Sequence, residues 1–290
     1  MYKRILVATG GSPWSEAAVA YAITLAARLG AEIRILTVLV VHATYAMPDM
    51  MASSELVMES IERQGQELLV QAAEHATNAG VPYVTVCKWG NVPETILQTA
   101  AEEQCDLIIL GSRLVTGRKR LQLGSISSIV TTKAQQPVLV VKQSYLPEAP
   151  LHPWSRVLVA TGGSPWSDIA VDHALHLAQE QHLEVCLLCV EPGRRRRFSD
   201  ADLATSEAKS IITLAEARAA ASGVSYTAKL AYGDVPEAIL QTATDQECDL
   251  IVLGSRGLTG WKRLMLGSIS NAVAVKAAQP VMIVKRFLLT

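Results

Sequence analysis

The sequence predicts an α/β fold written twice: two tandem, open, doubly wound domains, each built on a five-stranded parallel sheet. Three observations predict it. The first is an internal repeat. Ile5-Leu-Val-Ala-Thr-Gly-Gly-Ser-Pro-Trp-Ser15 returns 152 positions later as Val157 to Ser167, and Gly90-Asn-Val-Pro-Glu94 returns 143 positions later as Gly233-Asp-Val-Pro-Glu237. Two copies of this size in a chain of 290 residues suit a duplicated globular domain rather than a solenoid. The second is the alternation of short apolar runs with helical patterns, which implies parallel strands joined by right-handed crossovers. The third is composition. Half of the residues are hydrophobic but only 5% are aromatic, so the core must be mostly Val, Ile, Leu and Ala. That mix suits strands covered by helices on both faces.

Each element of the first copy has a local reason. Arg4–Ala8 reads as strand one. Ser12 can cap the next helix, with Pro13 at its first position and Glu16 in its first turn, and Gly30 stops it after Leu29. Ile33–Val40 is strand two. Apolar residues near helical spacing make Ser53 to about Ala79 a long helix ending at Gly80. Val81–Cys87 is strand three. Asn91 with Glu94 forms a capping-box pattern, repeated by Asp234 with Glu237, and opens a helix to about Glu103. Asp106–Leu110 is strand four, a glycine loop and a helix to about Ala134 follow, and Pro137–Lys142 is strand five. The second copy places strands near 156–160, 184–190, 224–230, 249–253 and 280–285. The offset drops by nine between the two repeats, and the expected place of the loss is the loop after strand two, Val41 to Ser53 in the first copy and Glu191 to Ser199 in the second. The expected division is 1–143, a linker 144–155 stiffened by Pro147, Pro150 and Pro153, and 156–290.

In a sheet of this kind ligands bind beyond the carboxyl ends of the strands, where the strand order reverses. The loops after strands one and four meet there. In the second copy, Gly254-Ser255-Arg256-Gly257 is followed after nine residues by Gly267-Ser268, between a strand and a helix start. Such a junction is an anion cradle: glycines admit close backbone approach, and the free N–H groups of the helix start point at the ligand. The backbone N–H groups of Gly257, Gly267, Ser268 and Ile269 are the expected donors, and Ser268 and Ser270 offer hydroxyls or act as caps. In the first copy Leu114 replaces the second glycine, although Gly124 and Ser125 remain. Arg256 and Arg113 sit inside the loops, as do Lys262-Arg263 and Arg118-Lys119-Arg120, either facing phosphate or merely solvated.

Other features carry less. A net charge of −1 argues against a general nucleic-acid partner, and no apolar run is long enough for a membrane span. The N-terminal apolar stretch is too short for a signal peptide, so the expected setting is cytoplasmic. Five cysteines, with Cys186-Leu-Leu-Cys189 inside a strand, read as buried thiols in a reducing compartment. His173 and His176 share a helix face but have no completing ligands, so no metal site is expected. Trp14 and Trp166 either plug a helix start or stack on a base, and Arg194 to Arg197 form a solvated run or an anion contact. There is neither a G-x-x-x-x-G-K-[ST] loop nor a dinucleotide fingerprint, and no catalytic residue is assigned.

The order of elements, and the fit of Gly254, Gly257, Gly267 and Ser268 to G-x2-G-x9-G-[ST], resemble the universal stress protein family over nearly the whole chain, in its tandem form. The resemblance implies an adenine-nucleotide-hydrolase-like sheet, ATP (with Mg2+) or AMP at the strand ends, no settled reaction, and dimers in which fifth strands pair. Within one tandem chain that becomes an intramolecular pseudo-dimer, with pairing of whole chains as a homodimer left open. The function it implies is that of a nucleotide-responsive, non-catalytic sensor in stress response, against a slow ATPase or a scaffold with vestigial sites. Its nucleotide contacts fall on Ala160, Thr161, Gly162, Val190, Gly254, Arg256, Gly257, Gly267, Ser268, Ile269 and Ser270. A weaker first site falls on Ala8, Thr9, Gly10, Val38, Gly111, Arg113, Gly124, Ser125, Ile126 and Ser127. One departure touches both copies: where many family members carry an acidic residue after strand one, this chain has Gly10 and Gly162.

Overall fold

The structure is a computed structural model that describes residues 2–40, 51–112, 123–142, 154–193, 201–255 and 267–285, with backbone alone for 51–54 and 201–205. The first half runs β1 (Arg4–Thr9), α1 (Pro13–Leu29), β2 (Glu32–Leu39), α2 (Met51–Asn78), β3 (Tyr83–Trp89), α3 (Val92–Glu102), β4 (Leu107–Gly111), α4 (Ser125–Lys133) and β5 (Val138–Val141). The second repeats it as β6 (Arg156–Thr161), α5 (Pro165–Gln181), β7 (Glu184–Pro192), α6 (Ala201–Ser222), β8 (Tyr226–Gly233), α7 (Val235–Asp245), β9 (Leu250–Gly254), α8 (Ser268–Lys276) and β10 (Val281–Val284).

Local chemistry explains the boundaries. Ser12 and Ser164 cap α1 and α5, with Pro13 and Pro165 at the first helical position. The reciprocal partner in each box is Ser15 or Ser167. Gly30 ends α1 in the left-handed conformation at φ 63°, which glycine adopts freely, whereas His182 takes the same role after α5 at φ 55°. At α3 and α7 only half of the expected box forms. Asn91 and Asp234 accept from the backbone N–H groups of Glu94 and Glu237, but the Glu237 carboxylate pairs instead with Lys276 of α8. β3 starts two residues later than the sequence pattern suggests, because the N–H of Val81 is spent on the Ala76 carbonyl at the end of α2.

The two expected five-stranded sheets form one continuous sheet of order β3-β2-β1-β4-β5-β10-β9-β6-β7-β8. Strands within each half are parallel. The halves join through an antiparallel pair, β5 with β10, in the register Val140 to Val281 and Val138 to Ile283. Every residue of both strands is buried, so the pairing closes an edge that would otherwise expose apolar surface and free backbone groups. Side chains alternate between two cores. One lies under α1, α2, α5 and α6, the other under α3, α4, α7 and α8, and each contains residues of both halves. Cys186 and Cys189 accordingly lie in opposite cores, and all five cysteines are free thiols.

A reciprocal exchange of aromatic residues locks the seam. Tyr2, just before β1, reaches α5 of the other half, where its Oη shares a hydrogen bond with His173 Nε2 at 2.5 Å and donates to Met282 Sδ at 3.2 Å. Trp154, the repeat mate of Tyr2, reaches α1, where its Nε1 donates to Tyr21 Oη at 2.8 Å. Tyr21 is in turn the repeat mate of His173. Both crossings are buried, so the same contact is made twice with different side chains.

Candidate anion site at the strand reversals

The strand order reverses between β1 and β4 and again between β6 and β9, and at each reversal the carboxyl ends face a loop and a helix start. The strand-one turns are internally satisfied. In the second half Ser167 Oγ accepts from the N–H groups of Gly162 (3.3 Å) and Ser164 (3.0 Å), while Thr161 Oγ1 accepts from that of Gly163 (3.3 Å). Thr9, Gly10, Gly11, Ser12 and Ser15 repeat the arrangement. These turns have spent their donors on their own helix caps, and Thr9 and Thr161 are buried beside them.

The first motif glycine has a packing role. A Cβ on Gly254 would lie 2.0 Å from the Trp166 carbonyl oxygen, and one on Gly111 would lie 2.0 Å from that of Trp14. The end of each fourth strand therefore presses against the first turn of α5 or α1. Trp14 and Trp166 supply backbone there, and both residues are half-buried.

Gly267 is different. Its φ of −52° and ψ of 142° suit any residue, and among the described residues a Cβ would meet nothing nearer than Ser270 Oγ at 3.9 Å and no side chain caps α8. The first intrahelical bond is from Asn271 N–H to the Gly267 carbonyl (2.9 Å), which leaves the N–H groups of Ser268, Ile269 and Ser270 without partners inside the helix. Ser268 and Ile269 are exposed. Gly124, before α4, repeats this with φ −50°, ψ 146° and no atom within 4 Å. Thus α1 and α5 are capped by their own serines, whereas α4 and α8 begin at bare glycines. The hydroxyl of Ser270 is already engaged, donating to the Gly254 carbonyl at 3.1 Å, as Ser127 donates to Gly111 at 3.2 Å; both serines fasten the helix to its strand.

One pair of residues escaped the sequence reading. Ser255 and Ser112, each 2% exposed, have a hydroxyl without a hydrogen-bond partner among the described residues. Strand alternation turns Ser255 to the same side as Leu253, toward the core under α8. The signal was present in the sequence as Gly-Ser-Arg at 111–113 and at 254–256. On that same side lie Ala160 and Val190, both packed on the α7 and α8 core, with Ala8 and Val38 as their counterparts. Ala160 and Val190 thus share the α7 and α8 face of the sheet, Gly254 ends the neighbouring β9, and Thr161 turns to the other face. Arg113, Leu114, Arg256 and Gly257 lie outside the described residues, as do Arg118 to Arg120, Lys262-Arg263, Arg194 to Arg197 and the linker prolines. His173 is committed to Tyr2 at the seam.

Comparison with known proteins gives a consistent result. The model of the universal stress protein family matches residues 1–142 and again 153–285. A universal stress protein of Methanocaldococcus jannaschii is 34% identical over 143 residues, which is 49% of this chain and 84% of that protein. One from Mycobacterium bovis is 28% identical over 294 residues, 97% of each chain. Among solved structures, a universal stress protein from Archaeoglobus fulgidus superimposes with a TM-score of 0.75 at 23% identity, covering 98% of this chain and 96% of that one.

Proposed function

The chain belongs to the universal stress protein family, and from that premise we propose that its second half binds ATP or AMP in the crevice between β6 and β9. The nucleotide's phosphates would rest on the start of α8. The protein then acts as a nucleotide-responsive, non-catalytic regulatory module in stress response. The observation that carries this reading is Gly267. Neither its backbone angles nor its packing calls for glycine, and Ser, Asn or Asp would cap α8 better. A bare glycine at a helix start is explained by an anion that approaches the backbone and takes the place of the cap. The buried Ser255 hydroxyl at the end of β9, without a partner among the described residues, supports the same reading.

The strand-one turns offer no carboxylate, so Mg2+ would arrive with ATP and take its ligands from the phosphates rather than from Gly162 or Gly10. The lack of a base or metal ligand there also favours sensing over hydrolysis. The first half keeps the bare Gly124 but carries Leu114, and is proposed as the weaker site. The working division is 1–143, linker 144–155 and 156–290. Free thiols fit a reducing, cytoplasmic setting, and no helix among the described residues is long and apolar enough to cross a membrane.

Titration calorimetry of the full chain with ATP and AMP tests the proposal. Gly267→Val, whose Cβ meets no described atom nearer than Ser270 Oγ at 3.9 Å, should keep the fold by circular dichroism and lose about tenfold in affinity, roughly 1.4 kcal/mol. Gly124→Val should cost less. No heat and no thermal shift with millimolar nucleotide would remove the reading, and turnover above the Gly267→Val background would replace it with an ATPase.

A further inference from the structure

Each half places a lysine directly after its last strand, Lys142 after β5 and Lys285 after β10. The antiparallel seam carries each of them to the last helix of the opposite half. Lys142 Nζ donates to the Val275 carbonyl in the final turn of α8, at 3.3 Å. Lys285 Nζ donates to the carbonyls of Thr132 and Ala134 at the end of α4, the second at 3.2 Å. Lys142 is 2% exposed, and among the described residues no carboxylate pairs with either lysine. Burial pulls both ammonium groups down to about 8, which leaves them charged at neutral pH.

The carbonyls they reach are those that a helix cannot satisfy internally, and they carry its negative pole. Both helices have nine residues, so the ammonium lies only about 13 Å from the opposite pole. That opposite pole is the bare glycine start, Gly124 or Gly267. Each of these short helices is thus held at its end by a cation from the other half and is open at its beginning to an anion.

We infer that Lys142 and Lys285 are positioning residues for the cradle of the opposite half: Lys142, from the first half, fixes α8 for the second cradle, and Lys285 fixes α4 for the first. The inference rests on the nucleotide reading above and deepens it. An anion at the helix start and an ammonium at its end favour the same placement of the helix. Ligand binding therefore tightens the grip across the seam and, by reciprocity, a loosened seam weakens binding.

The test uses the full chain and compares wild type with Lys142→Met, Lys142→Gln and Lys142→Arg. Leu69→Ala, a buried change in α2 of the first half, controls for lost stability. Calorimetry with ATP reads affinity, and amide hydrogen exchange reads α8 against α4. Lys142→Met should weaken ATP about fivefold and speed exchange in α8 more than in α4. Lys142→Gln should do the same if the methionine variant does not fold. Lys142→Arg should restore most of the affinity, and Leu69→Ala should lower stability without changing it. A wild type that binds ATP, with neutral Lys142 variants that bind as tightly and exchange α8 no faster, overturns the inference alone. A wild type that binds neither ATP nor AMP overturns the nucleotide reading, and the inference with it.

Discussion

At the scale of single residues, the two glycines that flank the crevice do opposite work. Gly254 is required by its neighbour, since a methyl group would sit 2.0 Å from the Trp166 carbonyl. Gly254→Ala should therefore cost about 1–3 kcal/mol in urea unfolding, the range of an overpacked core, and Gly111→Ala should behave alike against Trp14. Gly267→Ala should cost no more than about 1 kcal/mol, the loss of a tolerated N-cap residue, because the added methyl group meets no described atom closer than 3.9 Å. A motif of identical letters thus separates into a packing glycine and one that packing does not require, and spacing alone could not have told them apart. His173 offers a second residue-scale prediction. Burial holds its pKa at about 3, against an ordinary 6.5. Between those values the unfolded chain takes up a proton and the folded chain does not. Stability is complete above pH 6.5 and falls as pH drops toward 3, by at most about 1.4 kcal/mol per pH unit. In His173→Gln the loss of melting temperature between pH 6.5 and 4 should be smaller, as read by calorimetry across that window.

At the scale of elements, the helices divide by how they begin. Ser12 and Ser164 close α1 and α5 with complete boxes, whereas α4 and α8 start at glycine. Gly267→Asp supplies the missing cap and a negative charge in one step. It should raise stability by a few tenths of a kcal/mol and abolish nucleotide binding, since the carboxylate occupies the anion's place. Parallel measurement of melting temperature and ATP affinity in this variant should show the two moving in opposite directions. The order of elements was legible in the sequence because strand runs and helical spacing alternate cleanly and because Pro13, Pro165 and Gly30 mark the ends. The site was legible only in part. Its glycines stood out, but Ser255 did not, because a buried, unpartnered hydroxyl has no sequence signature beyond its place after Gly254. The reciprocal half of the Glu237 box fails for a related reason: Lys276, distant in sequence, claims the Glu237 carboxylate.

At the scale of the whole molecule, the seam determines how the chain behaves. The sheet and both cores run through it, and Trp154 and Tyr2 cross it in opposite directions. The halves should therefore unfold together, giving one calorimetric transition. Trp154→Ala, which empties a fully buried site, should cost about 3–5 kcal/mol and separate that transition into two. The repeat offset places Tyr2 against Trp154 and Tyr21 against His173, but it could not show that each partner belongs to the opposite half. That fact comes from the packing, because a sequence repeat describes what two halves share and not how they touch.

The antiparallel junction of β5 with β10 has one more consequence. Since the strands of the two halves run in opposite senses on either side of it, their carboxyl ends, and the two strand reversals with them, face away from each other. Anything bound beyond one set of carboxyl ends would leave the other set uncovered, so occupancy of the two would not compete for space. News of an occupant on one side can reach the other only through the body of the molecule.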